Sequence, residues 1–243
     1  VRDGGAAASA GLLVPWAMYR CYADRSGIDP HVTSMGRWLD GVAGKNADQV
    51  WRKELGATPG DVLETGPATD AALVATAELS YSARALAQML QSGGATLAAE
   101  GERFETLAKA SRSAFLAEFA QPDGKLKSDT QSAYAIAIAR GMLDGEQLQR
   151  AGAQLVAALE RAEQRPTTGV VGSALLLPAL SRIGRDDLAY QVFERWVDPN
   201  AALPSGLELG ALGEWMYEVM GGIALDPAAP AGRHVLVRPR PAG

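Results

Sequence analysis

Cysteine occurs once, at Cys21, and histidine twice, at His31 and His234. A single thiol excludes an intrachain disulfide, and one thiol with two imidazoles leaves too few soft ligands for an all-protein zinc site. The neighbours of Cys21, namely Trp16, Met18 and Tyr22, cast it as a buried small hydrophobe rather than a reactive thiol. No apolar run reaches the ~18 residues needed to cross a bilayer. No long run of lysine or arginine is present, and 23 basic against 28 acidic residues leave a formal charge of -5. Such a chain has no electrostatic attraction for nucleic acid or for an anionic membrane surface. The start, at Val1, lacks the basic flank, apolar core and small-residue cleavage site of a signal peptide. It reads as a processed, truncated or incompletely represented start of a soluble chain, cytoplasmic or periplasmic.

What is present is a chain of 243 residues, 47% hydrophobic, long enough to bury a sizeable core. Glycine and proline punctuate it into helix-length blocks. Ala10–Asp24 sets Leu12, Leu13, Trp16 and Tyr19 near one helical face, and a block opened by Asp29-Pro30 carries Val32, Met35, Trp38, Leu39 and Val42. Trp16 and Trp38 are therefore core candidates. The stretch Gly56–Gly66 is a loop. Helices follow over Thr69–Leu90 and Thr96–Phe119, the second stopped by Pro122-Asp123-Gly124. Ser128 and Gln131 fit a capping box for the next helix, which ends near Gly141. Gly145–Glu163 and Gly172–Ile183 come next, with Pro178 predicting a kink or a late start in the latter. Gly184 suits a helix end and Asp186-Asp187 a helix start. Ser205 and Glu208 form a second capping box before a helix to Gly221, and Val235–Val237 is a lone short strand in the tail.

The total is about nine helices joined by mostly short loops. Alanine-rich helices (Ala71–Leu90, Ala133–Arg140, Ser173–Leu180) alternate with more charged ones (Glu100–Glu118, Glu146–Glu163, Asp186–Trp196). Small side chains suit a crowded inner layer and charged faces a solvated outer one. The pattern predicts an all-α fold, an (α/α)-type barrel or toroid of antiparallel hairpins over residues 1–232, with a strand or linker tail over 233–243.

Several phrases carry a resemblance. They include Leu13-Val14-Pro15-Trp16, Ser80-Tyr81-Ser82-Ala83-Arg84, Ser128-Asp129-Thr130-Gln131-Ser132-Ala133-Tyr134-Ala135 and Thr167-Thr168-Gly169. Further along stand Leu177-Pro178-Ala179-Leu180-Ser181, Gly184-Arg185-Asp186-Asp187-Leu188-Ala189-Tyr190, Gly210-Ala211-Leu212-Gly213-Glu214-Trp215-Met216-Tyr217 and Val237-Arg238-Pro239-Arg240-Pro241. In order and spacing they resemble the catalytic domain of bacterial α-L-rhamnosidases, six-hairpin glycosidases. The resemblance implies an (α/α)6 barrel, of which about nine helices would make an incomplete ring. It implies no cofactor and no metal, a rhamnose-containing carbohydrate or glycoside as partner, and an oligomer or further domains completing the barrel. The reaction it implies is inverting hydrolysis of terminal α-L-rhamnosides by two carboxyl groups, roughly 6.5–9.5 Å apart.

Carried over residue by residue, the resemblance points to Asp61 and Glu194 as catalytic candidates. Asp61 lies in Gly60-Asp61-Val62-Leu63, where the family has Gly-Asp-Trp-Leu, so the carboxylate is kept and the ring is not. Glu194 lies in Phe193-Glu194-Arg195-Trp196, similar to the family's general-base phrase Trp-Glu-Arg-Trp, although the position also fits an ordinary outer helix. Glu64, Asp129, Glu208 and Glu214 are candidates for substrate binding; helix capping competes for Asp129 and Glu208, and packing for Glu214. The family's general-acid segment has no counterpart, Ala7-Ala8-Ser9 stands where the family has Trp-Gly-Asp, and Ser205-Gly206-Leu207 where it has Asn-His-Tyr. Three functions stay open: an α-L-rhamnosidase domain; an inactive or fragmentary relative that binds carbohydrate or protein; and another six-hairpin glycosidase or a polysaccharide lyase. A lyase needs a Tyr, His or Lys base in a cleft.

Overall fold

An inner helix must bury all its sides, and alanine lets it do so without crowding its neighbours. The structure, a computed structural model, describes residues 9–53, 60–198, 209–226 and 229–240. Among these it contains nine α-helices: α1 (Ala10–Tyr22), α2 (Val32–Lys45), α3 (Ala71–Gln91), α4 (Ala95–Phe119), α5 (Gln131–Ala139), α6 (Gly145–Arg161), α7 (Val170–Arg182), α8 (Asp186–Val197) and α9 (Leu209–Trp215). In α5 every residue from Gln131 to Ile138 is buried, and α3 is buried from Ala72 to Ser80. In contrast, α6 buries only Ala151, Gly152, Leu155, Ala158 and Leu159, a stripe at helical spacing. The alternation of small-residue and charged helices thus corresponds to buried and half-buried ones, and the mostly helical fold matches the expectation of paired helical layers.

The chain forms two compact units. The first comprises Val1–Thr58, Ala71–Glu118 and Leu225–Val235. Here α3 packs against α1 and α2, around a core that includes Leu12, Ile28, Leu39, Trp51, Leu86 and Phe104. Trp16 and Trp38 are partly buried against that core. The Asn46 side chain closes the turn after α2, accepting from the Arg52 and Lys53 amides at 2.9 and 2.8 Å and donating to the Val42 carbonyl. Cys21 is exposed, contrary to the sequence reading. It lies nine residues on from the buried Leu12, and at 3.6 residues per turn that is the opposite side of α1. Val14, Met18 and Tyr22 are exposed on the same helix.

The second unit comprises Pro59–Asp70, Phe119–Ala224 and Leu236–Gly243. In it α5 packs on α6 and α7, and α7 packs on α8 and α9. α7 starts at Val170 and continues past Pro178, which it holds in its interior. Gly184, at φ +77°, ends the turn after α7, with the Arg185 amide returning to the Leu180 carbonyl at 2.9 Å, and Asp186 and Asp187 occupy the first turn of α8. α9 is shorter than its sequence suggests, passing at Met216 into a single π turn that ends at Met220. The tail strand is not alone: β2 (Val235–Val237) pairs with β1 (Ile223–Leu225). A three-residue partner directly after a helix carries too little alternation to be seen in sequence.

Candidate functional site

The first amides of a helix have no partner within it, and a buried helix start must find one. α7 begins at Gly169, which offers no side chain to cap it. The partner comes from the loop before α3. The Asp61 carboxylate, 3% exposed, accepts from the Gly169 amide at 2.9 Å, the Val171 amide at 2.8 Å and the Gly172 amide at 2.8 Å. The helix dipole favours a negative charge there. Glycine at 172 is what permits the approach: a Cβ would stand 2.5 Å from Ser132 Oγ and 2.6 Å from Asp61 Oδ2. The same loop is tied by its backbone, with the Val170 amide donating to the Val62 carbonyl at 2.9 Å and the Thr65 amide to the Thr167 carbonyl at 3.2 Å.

The next carboxylate in the loop is engaged as well. Glu64 accepts from the Thr69 amide at 2.7 Å and from the Thr69 hydroxyl at 2.5 Å. Thr69 Oγ1 lies 2.6 Å from Thr130 Oγ1, which in turn accepts from the Ala133 amide at 3.1 Å. A hydroxyl has one proton, and that of Thr69 goes to Glu64. The Thr130 proton therefore goes to Thr69, and a one-way chain runs from the α5 amide through two hydroxyls to a carboxylate, each bond polarising the next. This corrects the expected capping box: Thr130, not Ser128, caps α5. Ser128 Oγ accepts instead from the Asp70 amide at 3.0 Å. Gln131 accepts from the Thr167 amide at 2.9 Å and donates to the Arg165 carbonyl at 3.1 Å.

Asp129 is exposed and accepts from the hydroxyl of the buried Tyr134 at 2.8 Å; Arg161 lies 3.3 Å from the same oxygen. The Arg161 pair is more than half open to solvent on its basic side and contributes little. Burial, reinforced by the hydrogen bond to Asp129, raises the Tyr134 phenol above its ordinary value of 10.0. The folded value lies above the unfolded one, so this group's contribution to stability is whole below pH about 10 and is lost as pH rises toward the folded value. In an alkaline titration followed by phenolate absorbance, Tyr134 is expected to contribute a step displaced above the ordinary tyrosine value. Tyr134→Phe should remove that late step and cost about 1 kcal/mol at neutral pH.

The carboxylates nominated from sequence thus part ways. Asp61, Glu64 and Asp129 gather where the 60–70 loop meets the starts of α5 and α7, each with donors already in place. Glu194 is exposed on α8 and Glu214 is exposed on α9; neither joins that cluster through any bond described above. Glu208 lies outside the described residues. Of the histidines, His31 is exposed just before α2, and His234 is 74% exposed, 3.7 Å from Asp226. Among the described residues no group of three acidic, histidine or cysteine side chains could hold a metal ion. No described helix is long and apolar enough to cross a membrane. Sequence reasoning passed over Thr69, Thr130, Gly169 and Gly172, whose roles depend on partners far along the chain. It also passed over Glu78, a carboxylate only 4% exposed on α3 that accepts from Ser9 Oγ at 2.8 Å; charged residues are rarely buried in an alanine-rich helix, and that rarity was the available signal.

Comparison with known proteins bears on both fold and family. An α-L-rhamnosidase of Streptomyces avermitilis is 31% identical over 96% of this chain, and α-L-rhamnosidases of Alteromonas sp. strain LOR and Formosa agariphila are 24% and 27% identical. The chain spans about a quarter of the length of these relatives, 25%, 29% and 26% respectively. Among solved structures, the S. avermitilis α-L-rhamnosidase complexed with L-rhamnose superposes with a TM-score of 0.82 at 30% identity, covering 96% of this chain and 25% of that one. The α-L-rhamnosidase of Dictyoglumus thermophilum shares the fold at 17% identity, with a TM-score of 0.85 over 99% of this chain and 30% of that one. The model of the bacterial alpha-L-rhamnosidase 6 hairpin glycosidase domain matches residues 6–201. With its buried and half-buried helices alternating as that fold requires, the chain belongs to the bacterial α-L-rhamnosidase six-hairpin glycosidase family.

Proposed function

We propose that the chain supplies the helical scaffold and one sugar-facing loop of a glycoside hydrolase directed at terminal α-L-rhamnosides, and that its nominated carboxylates hold the scaffold rather than move protons. Kinship with α-L-rhamnosidases, one of them solved in complex with L-rhamnose, supports the substrate class. The observation that carries the second half is the state of Asp61, whose two oxygens accept three amide protons at 2.8–2.9 Å.

Inverting hydrolysis needs one carboxylic acid to protonate the leaving oxygen and one carboxylate to activate water across the ring. Each must be free to exchange a proton with substrate or water. Asp61 would have to abandon the start of α7 to do either, and Glu64 would have to release Thr69. Glu194 and Glu214 are exposed to solvent and stand outside the bonded cluster around the 60–70 loop.

The purified chain is therefore expected to bind methyl α-L-rhamnopyranoside and to release 4-nitrophenol from its α-L-rhamnoside no faster than buffer does. Saturable release that vanishes in Glu194→Gln, or in Asp61→Asn while the fold persists, would overturn the assignment.

A further inference from the structure

A cavity of about 230 Å³ lies between α2 and α4 in the first unit, and none of its residues takes part in the bonds of the 60–70 loop. Its apolar wall is Val32 on α2, Leu90 at the end of α3, and Leu97 and Phe104 on α4. Leu90 and Phe104 are buried, and Val32 and Leu97 are partly buried against the same core. Position 36 of α2 brings no side chain into this space, and a Cβ there would stand 3.1 Å from Phe104 Cζ. The ring therefore packs directly on the α2 backbone.

Four charged side chains line the rest of the cavity: Arg37 and Asp40 from α2, and Glu100 and Arg103 from α4. Three of them form one network. Arg103 donates to Asp40 and to Glu100, each at 2.5 Å, and its guanidinium carbon lies 4.2 Å from the centroid of the Phe104 ring. The fourth differs. Among the described residues Arg37 has no hydrogen bond and no ion pair, and it is exposed. Thr33, one helical turn before it, also lines the cavity, and its hydroxyl is equally unengaged.

That distribution selects a ligand. An apolar wall gains from covering an apolar body. A guanidinium without a partner takes a carboxylate in a two-point fork, and a hydroxyl beside it adds a donor. Asp40 and Glu100 on the same rim disfavour any ligand with more than one negative charge. Phe104 occupies one face of the Arg103 guanidinium, and the other face suits a second aromatic plane. We propose that the α2–α4 cavity binds a small aromatic monocarboxylic acid, its carboxylate on Arg37 and Thr33 and its ring on Arg103 beside Val32 and Leu97. Sites for drug-sized ligands run to about 300–1,000 Å³, so a single-ring acid is the size that fits here. The assignment stands apart from the rhamnoside reading.

The test is titration of the full chain with 3-phenylpropanoate and, for comparison, with 3-phenylpropanamide, which keeps the ring and removes the charge. Backbone-amide NMR spectra report the site as well as the affinity. The acid should bind with a dissociation constant on the order of 1 mM, and its shifts should gather on α2 and α4. The amide should bind about tenfold more weakly or not at all. Arg37→Gln should bring acid and amide to parity, whereas Arg37→Lys, which keeps the charge without the fork, should recover part of the preference. Because Arg37 is exposed and makes no bond, the unfolding midpoint of both variants should stay in place, which separates loss of the ligand contact from loss of fold. Equal binding of acid and amide by the unaltered chain, a preference that survives Arg37→Gln, shifts scattered away from α2 and α4, or no saturable binding of the acid would each overturn the assignment.

Discussion

Replacing Asp61 by alanine is expected to lower the free energy of unfolding by on the order of 4 kcal/mol, read from denaturant titration. The size follows from what is left behind. Three amides, those of Gly169, Val171 and Gly172, lose their acceptor at a buried helix start. Each unsatisfied donor costs about 1–3 kcal/mol, and the favourable charge at the helix terminus is lost as well. The deletion also loosens the close approach of Gly172 to Ser132, where a Cβ would stand 2.5 Å from Ser132 Oγ. Asp61→Asn keeps the shape and one acceptor oxygen but sets an NH2 against an amide. It should cost roughly half as much. A carboxylate whose business was proton transfer would show the reverse pattern, with stability unchanged and only turnover affected.

Trp215→Ala should cost about 3–5 kcal/mol. The Trp215 side chain is 2% exposed at the end of α9. Its ring meets Tyr190 edge-on at 5.3 Å and Phe193 at 5.8 Å, and its Nε1 donates to Ser181 Oγ at 2.9 Å. Three helices, α7, α8 and α9, thus share one side chain. Truncation opens a cavity among aromatic neighbours and leaves the Ser181 hydroxyl without its donor. Trp215→Phe retains most of the ring contacts, so thermal unfolding should place it about 1–2 kcal/mol below the unaltered chain, close to the price of the indole hydrogen bond and the smaller ring. Equal losses in the two variants would mean that the hydrogen bond, not the packing, holds α9 in place.

The layering of the fold was legible because it is a local property. Alanine content, charge on alternate helices, Gly184 after α7 and the aspartates opening α8 all act within a turn or two of their own position. The site was legible only as a list of carboxylates. What distinguishes Asp61 from Glu194 is a set of bonds to amides 108, 110 and 111 residues away, and no spacing rule reaches that far. The same distance effect misled the reading of the α5 start. Ser128 and Gln131 satisfy the local capping pattern, but the Asp70 amide claims Ser128 and the loop at Thr167 claims Gln131, so the cap falls to Thr130. Cys21 failed for a simpler reason: apolar neighbours in sequence were taken for neighbours in space, and half a helical turn separates the two.

The claim on which the account stands is that the Asp61 carboxylate fastens the start of α7. Amide hydrogen exchange in Asp61→Ala, which removes both acceptor oxygens, tests it residue by residue. The Gly169, Val171 and Gly172 amides are expected to lose protection together, while the Ala133 amide, capped by Thr130, keeps its own. Unchanged protection at all three would contradict it.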